Sequence, residues 1–104
     1  MIKCVDDDNF TREVLMSNGL VIVDFFATWC GPCKMLSSVL ENISNENKNI
    51  KIVRVDVDDN PKVSKKYNIR SIPKLIFFKN GKEVDEIIGF VPKDIIKGVI
   101  KDNL

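Results

Sequence analysis

The chain has 104 residues, a length that fits one domain and leaves no room for a second independent core. Hydrophobic residues make up 44% and charged residues 30%, the balance of a soluble globule held together by apolar burial rather than by a disulfide framework. Sixteen basic against fifteen acidic residues leave a formal net charge of +1, so no long-range field marks a nucleic-acid or membrane-surface ligand. The run from Met1 to Asp8 has neither the apolar core of a secretory signal nor an arginine-rich amphipathic pattern. The longest apolar stretch, Leu20 to Ala27, contains Asp24 and falls far short of the ~20 residues of a membrane helix. With three cysteines and no leader, the expectation is a protein of a reducing compartment, the cytoplasm.

In chain order, Ile2 to Val5 is predicted as a short strand, with Cys4 a buried filler beside Ile2. Asp6, Asp7, Asp8 and Asn9 offer capping side chains for a helix that continues through Phe10, Val14 and Leu15 and ends at Gly19. Leu20 to Ala27, apolar at successive positions and rich in Val, Ile and Phe, predicts a strand buried on both faces. From Pro32 the pattern changes to helical spacing, with Met35, Leu36, Val39, Leu40 and Ile43 on the apolar side. Ile50 to Asp56 predicts the next strand, and Asn60-Pro61 starts a short helix reaching about Tyr67. Leu75 to Phe78 and Val84 to Ile88 flank Asn80-Gly81, a hairpin signal because a type I′ turn needs positive φ at both central residues. Ile95, Ile96, Val99, Ile100 and Leu104 predict a last helix, weakened by Gly98. The order β-α-β-α-β-α-β-β-α predicts an α/β fold with a mixed sheet between helices.

The run Trp29-Cys30-Gly31-Pro32-Cys33-Lys34 falls where the buried strand hands over to a helix. So short a loop removes little unfolded-state entropy, which makes the pair a poor staple. At a helix N-terminus, however, one cysteine can stay reactive while the other sits a turn in, close enough to attack it. Unpaired N–H groups and the helix dipole favour a thiolate at Cys30, with Lys34 assisting. The rival readings are inert thiols or part of a metal site. The chain has no histidine and only Cys4 besides, so a single subunit lacks four soft ligands. Asp24 is the second anomaly: burial would raise its pKa towards neutrality. It is either a proton partner for Cys33 or a carboxylate paired with a nearby cation or exposed at a sheet edge.

Val-Asp-Phe-Phe-Ala-Thr-Trp-Cys-Gly-Pro-Cys-Lys, followed by Asn60-Pro61, Ile69-Arg70-Ser71-Ile72-Pro73 and Lys79-Asn80-Gly81, resembles the thioredoxin family along essentially the whole chain. The resemblance implies a five-stranded sheet in the order 1-3-2-4-5 with four flanking helices, and a cis peptide before Pro73. It implies that Cys30 attacks, that Cys33 resolves and that the two form the redox disulfide. Asp24 would be the buried proton carrier, and Trp29, Gly31, Pro32, Ile72, Pro73 and Gly89 the substrate surface. It further implies a monomer that binds no cofactor itself and takes electrons from a thioredoxin reductase, linked to NADPH or ferredoxin, for disulfide-containing client proteins. The chain departs from common family patterns at four places. Ser37-Ser38 lies where many members have a helix-kinking proline, Phe26 where tryptophan is frequent, and Lys74 where threonine follows the proline; Arg54 stands where a lysine is often found near the buried aspartate, and its permanent charge would tune Asp24 differently. Lys74 either biases target choice or is a solvated strand-end lysine.

Overall fold

In the computed structural model, which describes residues 2–104, every residue of β2 (Leu20–Phe26) is buried, because the strand runs through the middle of the sheet with helices on both faces. Its neighbours are β3 (Lys51–Asp56) on one side and β4 (Lys74–Lys79) on the other. The two-residue strand β1 (Lys3–Cys4) and the strand β5 (Lys82–Ile88) form the edges, giving the order β1-β3-β2-β4-β5. The strand order is the one the family resemblance implied, and the sheet is mixed: β1, β3 and β2 run parallel, and β4 and β5 antiparallel to their neighbours.

The period of two along β2 divides the core. Val21, Val23 and Phe25 pack with Phe10, Val14, Val53, Val55 and Val63 on one face. Leu20 and Ile22 pack on the other against Leu36, Leu40 and Ile43 of α1 (Gly31–Glu46) and Ile96 and Ile100 of α3 (Lys93–Asp102). Asp24 is in phase with Leu20 and Ile22, so its side chain is on the α1 face. The buried residues of α1 are Cys33, Leu36, Leu40 and Ile43. Met35, expected on the apolar side, is 59% exposed, because it falls one position ahead of that stripe. Ile95 is likewise exposed beside buried Ile96. Glu46 joins the two helices by pairing with Lys93 and Lys97.

The acidic start of the chain is used twice. Asp6 Oδ1 accepts the N–H groups of Asp8 and Asn9 at 2.9 Å, while Asn9 Oδ1 accepts that of Asp6 at 2.7 Å, a reciprocal cap. Asp7 instead caps α2 (Pro61–Lys66), accepting from Lys62 N at 3.2 Å and Val63 N at 2.8 Å. The expected first helix is irregular. Its last residues, Thr11–Leu15, form a π-type turn in which Met16 N–H donates to Thr11 O at 2.9 Å. Asn80 and Gly81 have φ of 51° and 83°, the conformation expected of the hairpin turn. Asn80 also binds Gly19 twice, donating its N–H to Gly19 O and accepting Gly19 N–H at Oδ1.

Cys4 corrects an expectation. It is exposed, while Val5 is buried and Ile2 packs partly buried against the core, so the expected alternation holds at Ile2 and fails at Cys4 and Val5. β1 is an edge strand of two residues bonded only to β3, and Cys4 stands at a cavity shared with Asp6, Phe26, Asp56 and Asp59. No helix among the described residues is long and apolar enough to cross a membrane.

Candidate active site

Parallel strands deliver their C-terminal ends to the same side of a sheet, and loops there gather functional groups. β2 ends at Phe26 and leads through Ala27 to Trp29; β3 ends at Asp56 and leads to Asp58; β4, running the other way, begins just after Pro73. The two cysteines therefore meet the Ile72-Pro73 loop although Ile72 lies 39 positions after Cys33 in the chain.

Cys30 is the N-cap of α1. Its backbone is extended (φ −88°, ψ 113°) and its Sγ accepts the N–H of Cys33 at 3.2 Å. Pro32 occupies the first turn, where a missing N–H costs nothing, and no acidic residue lies there to oppose a negative sulfur. The two cysteines are joined in a disulfide with Cα atoms 5.2 Å apart. Cys30 is 5% exposed and Cys33 fully buried, so the two sulfurs are distinguished by access. Both pack with Phe26 and Ala27, and Ile72 rests against the same cluster. The peptide between Ile72 and Pro73 is cis, as the resemblance implied.

Trp29, Gly31 and Pro32 are exposed around the pair. Trp29 is 70% exposed, yet its indole Nε1 donates to Asp58 Oδ2 at 2.9 Å, which fixes the ring. Ile72 and Gly89 are half-buried, whereas Pro73 is buried. The loops around them are tied by Gly89 N–H, which donates to Pro73 O at 2.8 Å. Lys74 is not the solvated strand-end lysine of the second reading. Its side chain is largely covered and its ammonium lies 3.7 Å from Glu86 of β5, so its charge is balanced across the hairpin.

Asp24 has no solvent exposure, and burial pushes its carboxyl from 3.8 up to about 6 against the opposing pull of Arg54. The two residues face each other across β2 and β3, and Arg54 Nε donates to Asp24 Oδ2 at 3.1 Å. The guanidinium in turn lies 3.8 Å from the centre of the Phe26 ring. Arg54, Phe26, Cys33, Lys34 and Ser37 share a cavity of about 310 Å³, so this cation and the buried cysteine border the same space. The family resemblance puts Arg54 near the buried aspartate without settling whether the two bond, and sequence reasoning missed Asp58 altogether. Its only local signal is a carboxylate just past a parallel strand's C-terminal end. Among the described residues, no group of three or more His, Cys, Asp or Glu side chains is placed to hold a metal ion.

A two-cysteine ring capping a helix at the C-terminal edge of a mixed sheet defines a thiol–disulfide oxidoreductase. The comparisons with known proteins specify the class further. The family model described as Thioredoxin matches residues 1–102. The chain is 45% identical over 103 residues to a thioredoxin of Chlamydia caviae, covering 99% of both chains. It is 46% identical over 100 residues to a thioredoxin of Pyropia yezoensis, covering 95% of this chain and 94% of that one. To thioredoxin 1 of a Nostoc species it is 45% identical over 101 residues, with 96% and 94% covered. The chain belongs to the thioredoxin family.

Proposed function

We propose that this protein is a general protein-disulfide reductase of the cytoplasm, acting as a monomer and donating electrons to reductive enzymes and to oxidised client proteins. The observation that carries the reading is the asymmetric cysteine pair, with Cys30 at the N-cap and Cys33 buried one turn inside α1. The Cys30 thiolate, stabilised by the helix N-terminus, attacks a client disulfide; one client sulfur leaves as thiolate and a mixed disulfide forms. Cys33 gives its proton to Asp24 and attacks Cys30 Sγ. The second client sulfur leaves, takes up a proton, and the Cys30–Cys33 disulfide remains. The client gains two electrons and the cysteine pair loses them. A thioredoxin reductase drawing on NADPH or ferredoxin returns the pair to the dithiol, so the chain needs no bound cofactor.

Trp29, Gly31, Pro32 and Ile72 would present the apolar contact surface, with Gly89 at its rim and buried Pro73 behind it. An extended client segment would add to the exposed backbone near Ile72 as a strand does. The test is reduction of insulin by dithiothreitol, which the protein is expected to accelerate. Cys30→Ser should lose the acceleration, and Cys33→Ser should accumulate mixed disulfides that can be captured and identified. Full rate in Cys30→Ser would sink the mechanism, and a reduction potential well above the cytosolic glutathione poise would make the protein an oxidase instead.

A further inference from the structure

The surroundings of Asp24 leave one of its oxygens unaccounted for. Oδ2 takes the Arg54 Nε–H, while Oδ1, equally buried, has no hydrogen-bond partner in the protein. A buried polar atom without a partner is costly and calls for a reason. Arginine commonly meets a carboxylate through two parallel N–H bonds, which would occupy both oxygens. Here a single bond to Nε is made. The rest of the guanidinium is laid over Phe26, two residues beyond Asp24 on the same face of β2.

We propose that Phe26 is a positioning residue for the proton chemistry of Asp24: its ring holds the Arg54 guanidinium on Oδ2, leaving Oδ1 free to take and return the Cys33 proton. The inference rests on the proton-carrier reading of Asp24 given above. Arginine suits this task because its charge is permanent at working pH, so only the carboxyl titrates, and because a flat, weakly hydrated cation stacks on an aromatic ring. Of the elements packed against the Asp24 face, β3 places Arg54 opposite it, β4 places Leu75 opposite it, and α3 places Ile96 and Ile100 on that face. Cys33 and Lys34 of α1 border the cavity that Arg54 also lines. With the ring removed, the guanidinium is free to swing into the cavity, and Asp24 then keeps its burial but loses its fixed counter-charge.

The test follows the ionisation of Asp24 directly, through the ¹³C chemical shift of its carboxyl carbon, in full-length wild type, Phe26→Leu, Phe26→Trp and Arg54→Gln. In parallel, the pH profile of mixed-disulfide resolution is recorded for each. Phe26→Leu and Arg54→Gln should both move the Asp24 midpoint upward by about one pH unit, the lower end of what an adjacent arginine does to a carboxylate. Resolution on the acid side of the profile should slow about tenfold to match. Phe26→Trp, which keeps a ring under the guanidinium, should restore both. An unmoved Asp24 midpoint in a folded Phe26→Leu protein overturns the proposal. Should that variant fail to fold, an unmoved midpoint in Arg54→Gln, which leaves the core ring in place, overturns it equally. Midpoints that move while the resolution profiles stay fixed refute Asp24 as the proton carrier but leave its positioning by Phe26 and Arg54 standing.

Discussion

Replacing Asp24 by Asn should stabilise the oxidised protein at alkaline pH and do nothing for it in acid. The carboxyl is fully buried and titrates at about 6 in the folded chain, against 3.8 where it is solvated. The folded state therefore binds the proton more tightly than the unfolded state. The contribution to stability is complete below 3.8, falls as pH rises to about 6, and stays lost above that. At about 1.4 kcal/mol per pH unit, ionising Asp24 in place costs the folded state ~3 kcal/mol at pH 8. Asn cannot ionise, so the variant escapes that cost. Arg54 loses its ion pair but not its only solvation, because its side chain is 18% exposed and borders the cavity. The gain should accordingly reach ~2–3 kcal/mol at pH 8 and vanish near pH 3.5. Urea unfolding of the oxidised forms, followed by the fluorescence of Trp29, measures it at each pH. A difference between variant and wild type that is the same at both pH values, or a loss of stability at pH 8, would refute the reasoning.

Two other outcomes follow from features remote from the cysteines. Glu13 receives Lys3 at 2.6 Å and both Lys51 and Arg12 at 3.1 Å, and these cations draw its carboxyl down to about 2. A lowered carboxyl contributes stability above its ordinary 4.5 that is lost as pH falls through about 2. Glu13→Gln should therefore unfold at a higher pH during acid titration, by a margin that shrinks in high salt; an unchanged acid midpoint contradicts this. The glycines of the hairpin and of α3 should respond in opposite senses to Ala. Gly81 has φ +83°, and an added Cβ would collide with the Leu15 carbonyl, so Gly81→Ala should cost ~1–3 kcal/mol. At Gly98 an added Cβ meets nothing, so Gly98→Ala should add ~1 kcal/mol through helix propensity. Thermal unfolding decides, and a shift of both Tm values in one direction would show that these local environments are misjudged.

Much of the site was readable in the chain because its parts are local. Cys30 and Cys33 sit a helical turn apart, the change from strand to helix spacing falls on them, and Pro32 is suited to a first helical turn. The burial of Asp24 followed from its place in an unbroken apolar strand, and the Asn80-Gly81 turn from the φ values it demands. Errors arose where apolar residues were adjacent or near an end. Met35 beside Leu36 and Ile95 beside Ile96 lie at the border of the apolar stripe, where spacing alone does not say whether the core covers one neighbour or both. Cys4 lies on an edge strand too short for alternation to fix its phase.

The sequence by itself determined that a redox-capable cysteine pair opens a helix at the end of a buried strand that carries a carboxylate. Spacing within a few residues is enough for that. Only the tertiary structure decided what the carboxylate meets. Arg54 is 30 residues from Asp24, and the two touch because β2 and β3 pair in one particular register. A slip of one residue would send one of the two side chains to the other face of the sheet. The same holds for Phe26 beneath Arg54 and Asp58 on Trp29. The identities of the cysteines belong to local order, and the setting that gives each sulfur its task belongs to strand pairing.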